Sequence, residues 1–265
     1  MASVDWFIII AVLSALAFFL GRRIGMSTGL RAGVWVMLAM AILATWTWLS
    51  SRPDVAIQAI PVNVLCYLEG TAGTPIFMLI LGIAWARSRI ARQKRVTGLA
   101  MALGVFYFLT GGMWMLQTTP QSGFAQTIPS STVMQSQDFS CVPASCATAL
   151  NRIKIPTTES QMAELTQTRP GTGATLLRAA DGLRRKLDGT PWHIELIDAD
   201  MDQLETLPCP ILTPLQFESS RRHMVVVIGR ARRGLLVADP VDGVVWTTRH
   251  DFAAVYIGQV IVFRH

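Results

Sequence analysis

Four stretches within the first 118 residues carry no charged side chain: 6–20, 32–50, 72–86 and 97–118. Each approaches the ~20 residues that an α-helix needs to cross a hydrocarbon core. A helix in a soluble bundle keeps a polar stripe toward water, and these runs have none. The pattern therefore predicts an all-α transmembrane domain of about four helices over residues 1–118. A cleaved leader would explain the first run and leave three unexplained. The third run is the shortest and contains Pro75, so three spans is the alternative.

Charge supplies an orientation. Residues 1–118 hold 9 Lys and Arg against 3 Asp and Glu, whereas residues 119–265 hold 14 of each, so the net +6 belongs to the apolar half. Arg22, Arg23 and Arg31 fall between the first two runs; Arg87, Arg89, Arg92, Lys94 and Arg95 fall between the last two. By the bias of basic loops toward the cytoplasm, both ends of this half face outward. The expected setting is a bacterial inner or plasma membrane with the remainder of the chain outside the cytoplasm. The high pI is thus a topology signal, and no basic-aromatic patch points to nucleic acid.

Residues 119–133 are rich in Pro, Ser, Thr and Gly and read as a linker. Residues 134–265 have the composition and length of one globular core. Helices are expected at 141–153, from a Thr158 cap onward, and at about 174–187. Period-two apolar alternation predicts strands at 193–197, 211–217, 223–230, 235–239, 244–248 and 256–263. Helices first and antiparallel strands afterwards make an α+β domain.

Chemistry concentrates in Gln135-Ser-Gln-Asp-Phe-Ser-Cys141-Val-Pro-Ala-Ser-Cys146. Pro143 is tolerated only in a first turn, which puts Cys141 at a helix start, where backbone amides favour a thiolate. Cys146, among Ala and Leu, suits a buried structural thiol. An outward-facing compartment would permit a Cys146–Cys209 bridge, but four cysteines make no disulfide framework, and one C-x4-C is poor zinc spacing. Downstream, His223 opens one strand and Asp239 closes the next. If the two strands form a hairpin centred on Ala231, these side chains face each other with Cβ atoms ~5 Å apart. The carboxylate would accept the Nδ1 proton and leave Nε2 for a thiol. Either Gln135 or Gln137 could donate to a developing oxyanion beside the Cys141 N–H.

Residues 135–263 resemble the C39 cysteine peptidases, a family with a papain-like fold that includes bacteriocin-processing domains fused to ABC exporters. Besides Gln135, Cys141, His223 and Asp239-Pro240, the likeness includes Gly171-Thr-Gly-Ala-Thr, Leu207-Pro-Cys-Pro-Ile and the closing Tyr256-Ile-Gly-Gln-Val-Ile-Val-Phe. It implies Cys141 as nucleophile, His223 as base, Asp239 as orienter and Gln135, by its six-residue offset, as oxyanion donor. It implies a peptide or protein substrate, processing of a leader or exported peptide, and no cofactor or metal. Two departures stand out. The family's usual Asp-Cys-Gly is here Ser140-Cys141-Val142, and no Walker A pattern accompanies the domain, so a transporter would be a separate chain. The alternative is a non-catalytic peptide-binding module that serves such a transporter from the bilayer.

Overall fold

The computed structural model describes residues 3–117, 131–217, 222–231 and 234–265. Met1–Ala56 and Tyr67–Gln117 form one compact unit; Ile57–Cys66 and Thr118–His265 form another. Most of the expected linker lies outside the described residues.

The N-terminal half contains α1 (Ser3–Gly25), α2 (Gly29–Ser50), α3 (Pro53–Ala59), α4 (Val62–Leu68), α5 (Gly73–Arg87) and α6 (Ala91–Gly112). Among the described residues, three helices, Ser3–Gly25, Gly29–Ser50 and Ala91–Met115, are long and apolar enough to cross a membrane. A fourth exists if α4 and α5, bent by 46° across their break, count as one span. Pro75 occupies the first turn of α5, where its missing N–H breaks no helical bond. Gly70, at φ 74°, supplies the left-handed residue in the break.

Small residues fix the packing of this unit. A methyl group on Gly21 would collide with Leu79 O, and one on Gly82 with Phe18 O. The backbones of α1 and α5 therefore touch, as membrane helices do where no hydrophobic effect drives them together. Gly21 lies against Leu79, and Gly25 against Ile83 and Ala86, so these helices run in the same direction. Phe7, early in α1, stacks on Phe108 near the end of α6, their ring centroids 4.8 Å apart, so α6 runs the other way. Arg87 reaches the start of α2, its Nη2 3.3 Å from where a Gly29 Cβ would sit. The basic residues of both interhelical loops thus gather at one end of the unit.

The second unit holds α7 (Cys141–Arg152), α8 (Glu159–Leu165), α9 (Leu176–Leu187), β1 (His193–Asp198), α10 (Met201–Leu204), β2 (Ile211–Gln216), β3 (Arg222–Ala231), β4 (Gly234–Asp239), β5 (Gly243–Thr248), α11 (Arg249–Val255) and β6 (Gln259–Arg264). The strands make one sheet in the order β1-β6-β2-β3-β4-β5, every neighbouring pair antiparallel. Ile211, Val225, Val227, Leu235, Val237, Val260 and Val262 join Leu204 and Phe252 in one buried cluster. Leu212, Val226 and Ile261, one residue out of phase, are fully buried as well. Both faces of the central strands are therefore covered, which is why they read as unbroken Val and Ile runs. The sheet sits after the helices, as an α+β domain requires. Two short helices, α10 and α11, interrupt the expected order, and the last strand begins at Gln259 rather than Tyr256.

Candidate active site

Three elements converge on Cys141. The thiol heads α7. One turn on, the Ser145 hydroxyl donates to Met224 O at 2.8 Å, bolting the helix to β3 beside His223. Behind it, Thr148 Oγ1 accepts the Val133 N–H at 2.8 Å and fixes the start of the loop that carries Gln135. Cys141 is half-buried. Its neighbour Cys146 is fully buried, and burial, helped by Cys141, pushes that thiol far above the ordinary range. Cys209 remains free too; burial raises its thiol pKa, against the pull of Arg230 and Arg152.

His223 stands between the thiol and a carboxylate. Its Nε2 lies 2.9 Å from Asp239 Oδ1 and 3.0 Å from Oδ2. The Cys141 side chain lies close enough to the same ring to act on its charge. Asp239 cannot swing away, because its Oδ1 also accepts the Val241 N–H at 2.7 Å and the Asp242 N–H at 3.3 Å. Burial alone would lower the imidazole pKa; the bond to Asp239 and then the nearby Cys141 outweigh it and lift the pKa from 6.5 to about 9. Burial would raise the Asp239 carboxyl, but the His223 bond and the Val241 amide hold it below its ordinary 3.8.

The two shifts set a pH dependence. A raised imidazole pKa stabilises the fold fully below 6.5 and stops doing so as pH climbs through about 9. A lowered carboxyl pKa stabilises above 3.8 and fails only in stronger acid. Thermal melts should therefore show falling stability between pH 6.5 and 9.5, with a shallower fall in Asp239→Asn. An equal slope in both proteins would contradict the pairing.

The loop before Cys141 is organised by a residue that the sequence did not single out. Glu159, fully buried at the start of α8, accepts the Ser140 hydroxyl at 2.6 Å and the Ser136 N–H at 3.0 Å through Oε1. Ser140, the N-cap of α7, makes no capping bond to its own helix, because its hydroxyl faces Glu159 and Gln137. The first amides of α7 are left without a side-chain cap, and Pro143 has no N–H to offer. Gln135 is tied down by its own N–H, which donates to Pro240 O at 2.8 Å, next to Asp239. Its Oε1 is buried without a partner among the described residues. Gln137 closes a turn on Ser140 instead, its N–H donating to the Ser140 hydroxyl at 3.1 Å. Only the Thr158-x-x-Gln161 capping box hinted that a helix start, and with it Glu159, lay here.

Two expectations are corrected. The imidazole is turned the other way: Nε2, and not Nδ1, meets Asp239. The hairpin is not centred on Ala231 either. Ala231 pairs with Gly234, and a bulge between Val227 and Gly229 shifts the ladder so that Val226 pairs with Ala238. Continued, that register sets Asp239 opposite Val225, one same-face step from His223. The pair is thus diagonal, a separation of ~7–8 Å that a long imidazole spans. Without the bulge the register would differ by one residue and put Asp239 on the opposite face from His223.

The model of the Peptidase C39 family matches residues 130–265. The chain belongs to this family. An uncharacterized protein of Methanothermobacter thermautotrophicus strain Delta H is 29% identical over 134 residues, which cover 49% of this chain and 85% of that protein. Among solved structures, the C39 domain is similar to a double glycine motif protease from an AMS/PCAT transporter, crystallised with the leader peptide. That match has 20% identity and a TM-score of 0.43, covering 54% of this chain and 94% of that one. The peptidase domain of Streptococcus ComA, a bi-functional ABC transporter involved in quorum sensing, matches at 23% identity and TM-score 0.45, covering 50% and 96%. Within the C39 domain of this chain, Val142 follows the cysteine as a buried helical residue.

Proposed function

We propose that this C39 protein is a cysteine peptidase held in a membrane by residues 1–118, with residues 134–265 as its catalytic domain. One observation carries the reading: an imidazole held 2.9 Å from a fixed carboxylate also interacts electrostatically with the cysteine at the head of α7.

The arrangement suits acyl transfer. Cys141 gives its proton to His223, and the sulfur attacks the carbonyl carbon of a peptide bond. Asp239 fixes the ring and balances the imidazolium charge, which its ion pair at 2.9 Å is placed to do. Negative charge on the former carbonyl oxygen falls to the uncapped Cys141 N–H and the Gln135 side-chain amide, each such donor being worth about 3 kcal/mol. His223 then protonates the leaving amine, and the C–N bond breaks to leave a thioester. Water, deprotonated by the same imidazole, hydrolyses it and restores the thiol. The substrate class we assign is an exported or leader-bearing peptide, passed on to a separate transporter.

Purified full-length protein in detergent should cut a diverse peptide library at a recurrent sequence and release matched new termini. A library left intact, with the protein folded and its thiols reduced, would favour the peptide-binding alternative. For orientation, the clustering of basic residues at one end of the helical unit supports an outward-facing catalytic domain. Protease added to intact spheroplasts should then digest residues 134–265 without lysis. Digestion that requires lysis would place the domain in the cytoplasm.

A further inference from the structure

At the basic end of the helical unit, the turn between α5 and α6 borders a shallow, open pocket of about 440 Å³. Its walls are Arg87, Ser88, Arg92, Gln93 and Thr97, with Ala84 and Val96 as apolar floor. Five cations, Arg87, Arg89, Arg92, Lys94 and Arg95, fall within nine residues that contain no carboxylate. Among the described residues, neither Arg87 nor Arg92 has an ion-pair partner. Two guanidinium groups without ion-pair partners around one space are donors for a phosphate, while the Ser88 and Thr97 hydroxyls donate to Ala84 O and Gln93 O.

The surroundings decide what carries that phosphate. From Val96 in the cavity wall, exposed apolar residues continue along α6 on one face: Val96 62%, Leu99 63%, Leu103 60% and Phe106 65% exposed. A free phosphate ion has no use for such a track; an acyl chain does. We propose that the cavity binds the phosphate of an anionic glycerophospholipid, with Arg87 and Arg92 on the headgroup and the α6 stripe along an acyl chain. A zwitterionic lipid brings the same phosphate with a cation that the five basic residues repel. This inference rests on the membrane reading above and deepens it.

The test is native mass spectrometry of the full-length protein in neutral detergent. It is titrated with phosphatidylglycerol, with phosphatidylcholine of the same chains, and with inorganic phosphate. Phosphatidylglycerol should bind at least about tenfold more tightly than phosphatidylcholine, and Arg87→Gln/Arg92→Gln should erase that preference. Arg87→Lys/Arg92→Lys should keep part of it, because charge survives while bidentate geometry does not. Should the glutamine pair fail to fold, as judged by helicity and gel filtration, Arg92→Glu at its exposed position carries the same expectation. Equal affinity for the two lipids, or an unchanged preference in a folded variant, would overturn the proposal. Displacement of the lipid by equimolar inorganic phosphate would overturn it in favour of a soluble anion. Alkaline carbonate extraction separates this failure from that of the membrane reading: a chain released from washed membranes defeats the latter, whatever the titration gives.

Discussion

Replacing Cys141 by alanine should bring peptide turnover to background, and His223→Ala should lower kcat/KM nearly as far, by about 10³-fold or more. The double variant should be no worse than either single one, because thiol and imidazole act as one unit. Asp239 should behave differently, for a reason visible in its contacts. Its Oδ1 already accepts the Val241 and Asp242 amides as well as His223 Nε2. An asparagine would keep its oxygen in that place and go on orienting the ring, losing only the charge that offsets the imidazolium. Asp239→Asn is therefore expected to cost about 10- to 100-fold and Asp239→Ala about 10³-fold, both mainly in kcat. Equal losses in the two variants would mean that charge, and not orientation, is what Asp239 supplies. No loss in either would remove it from the site.

The large features of this fold were legible because they depend on composition over many residues. Uncharged runs of 15 to 22 residues announce long apolar helices, and Val-rich segments announce strands covered on both faces. The helix start marked by Thr158 was visible, since its side chain caps locally, accepting the Gln161 N–H. Short helices were missed where the same signals were present: Asp200 closes a capping box with Gln203, and Thr248 accepts the Asp251 N–H. Helices of four to seven residues carry too little periodicity to compete with neighbouring strand patterns.

The candidate site's expected members are proposals, and its geometry differs from the one expected. Cys141, His223, Asp239 and Gln135 could be named from residue type and spacing; the structure pairs His223 with Asp239 and sets Cys141 near enough to act on the same ring. The bulge after Val227 could not be read, because Val-Val-Val-Ile-Gly looks the same at either register. The error in register was even, two residues, so the same-face expectation survived an incorrect pairing. Glu159 was hidden for a different reason. Its bonds to Ser136 and Ser140 join residues about twenty positions apart, and nothing local marks a surface-type carboxylate as buried.

The most direct measurement is the site and rate of covalent capture by a peptidyl vinyl sulfone, read by intact mass and peptide mapping. None of the four cysteines is in a disulfide, and they differ in setting: Cys66 and Cys146 are buried, while Cys141 and Cys209 are partly accessible. Cys141 is the cysteine that interacts with the His223 imidazole among the described residues. The expected result is one adduct per chain, on Cys141, formed at least about 10²-fold faster than in His223→Ala. Capture at Cys209 instead, or at Cys141 with the same rate when His223 is gone, would contradict the assignment of a thiol activated by that histidine.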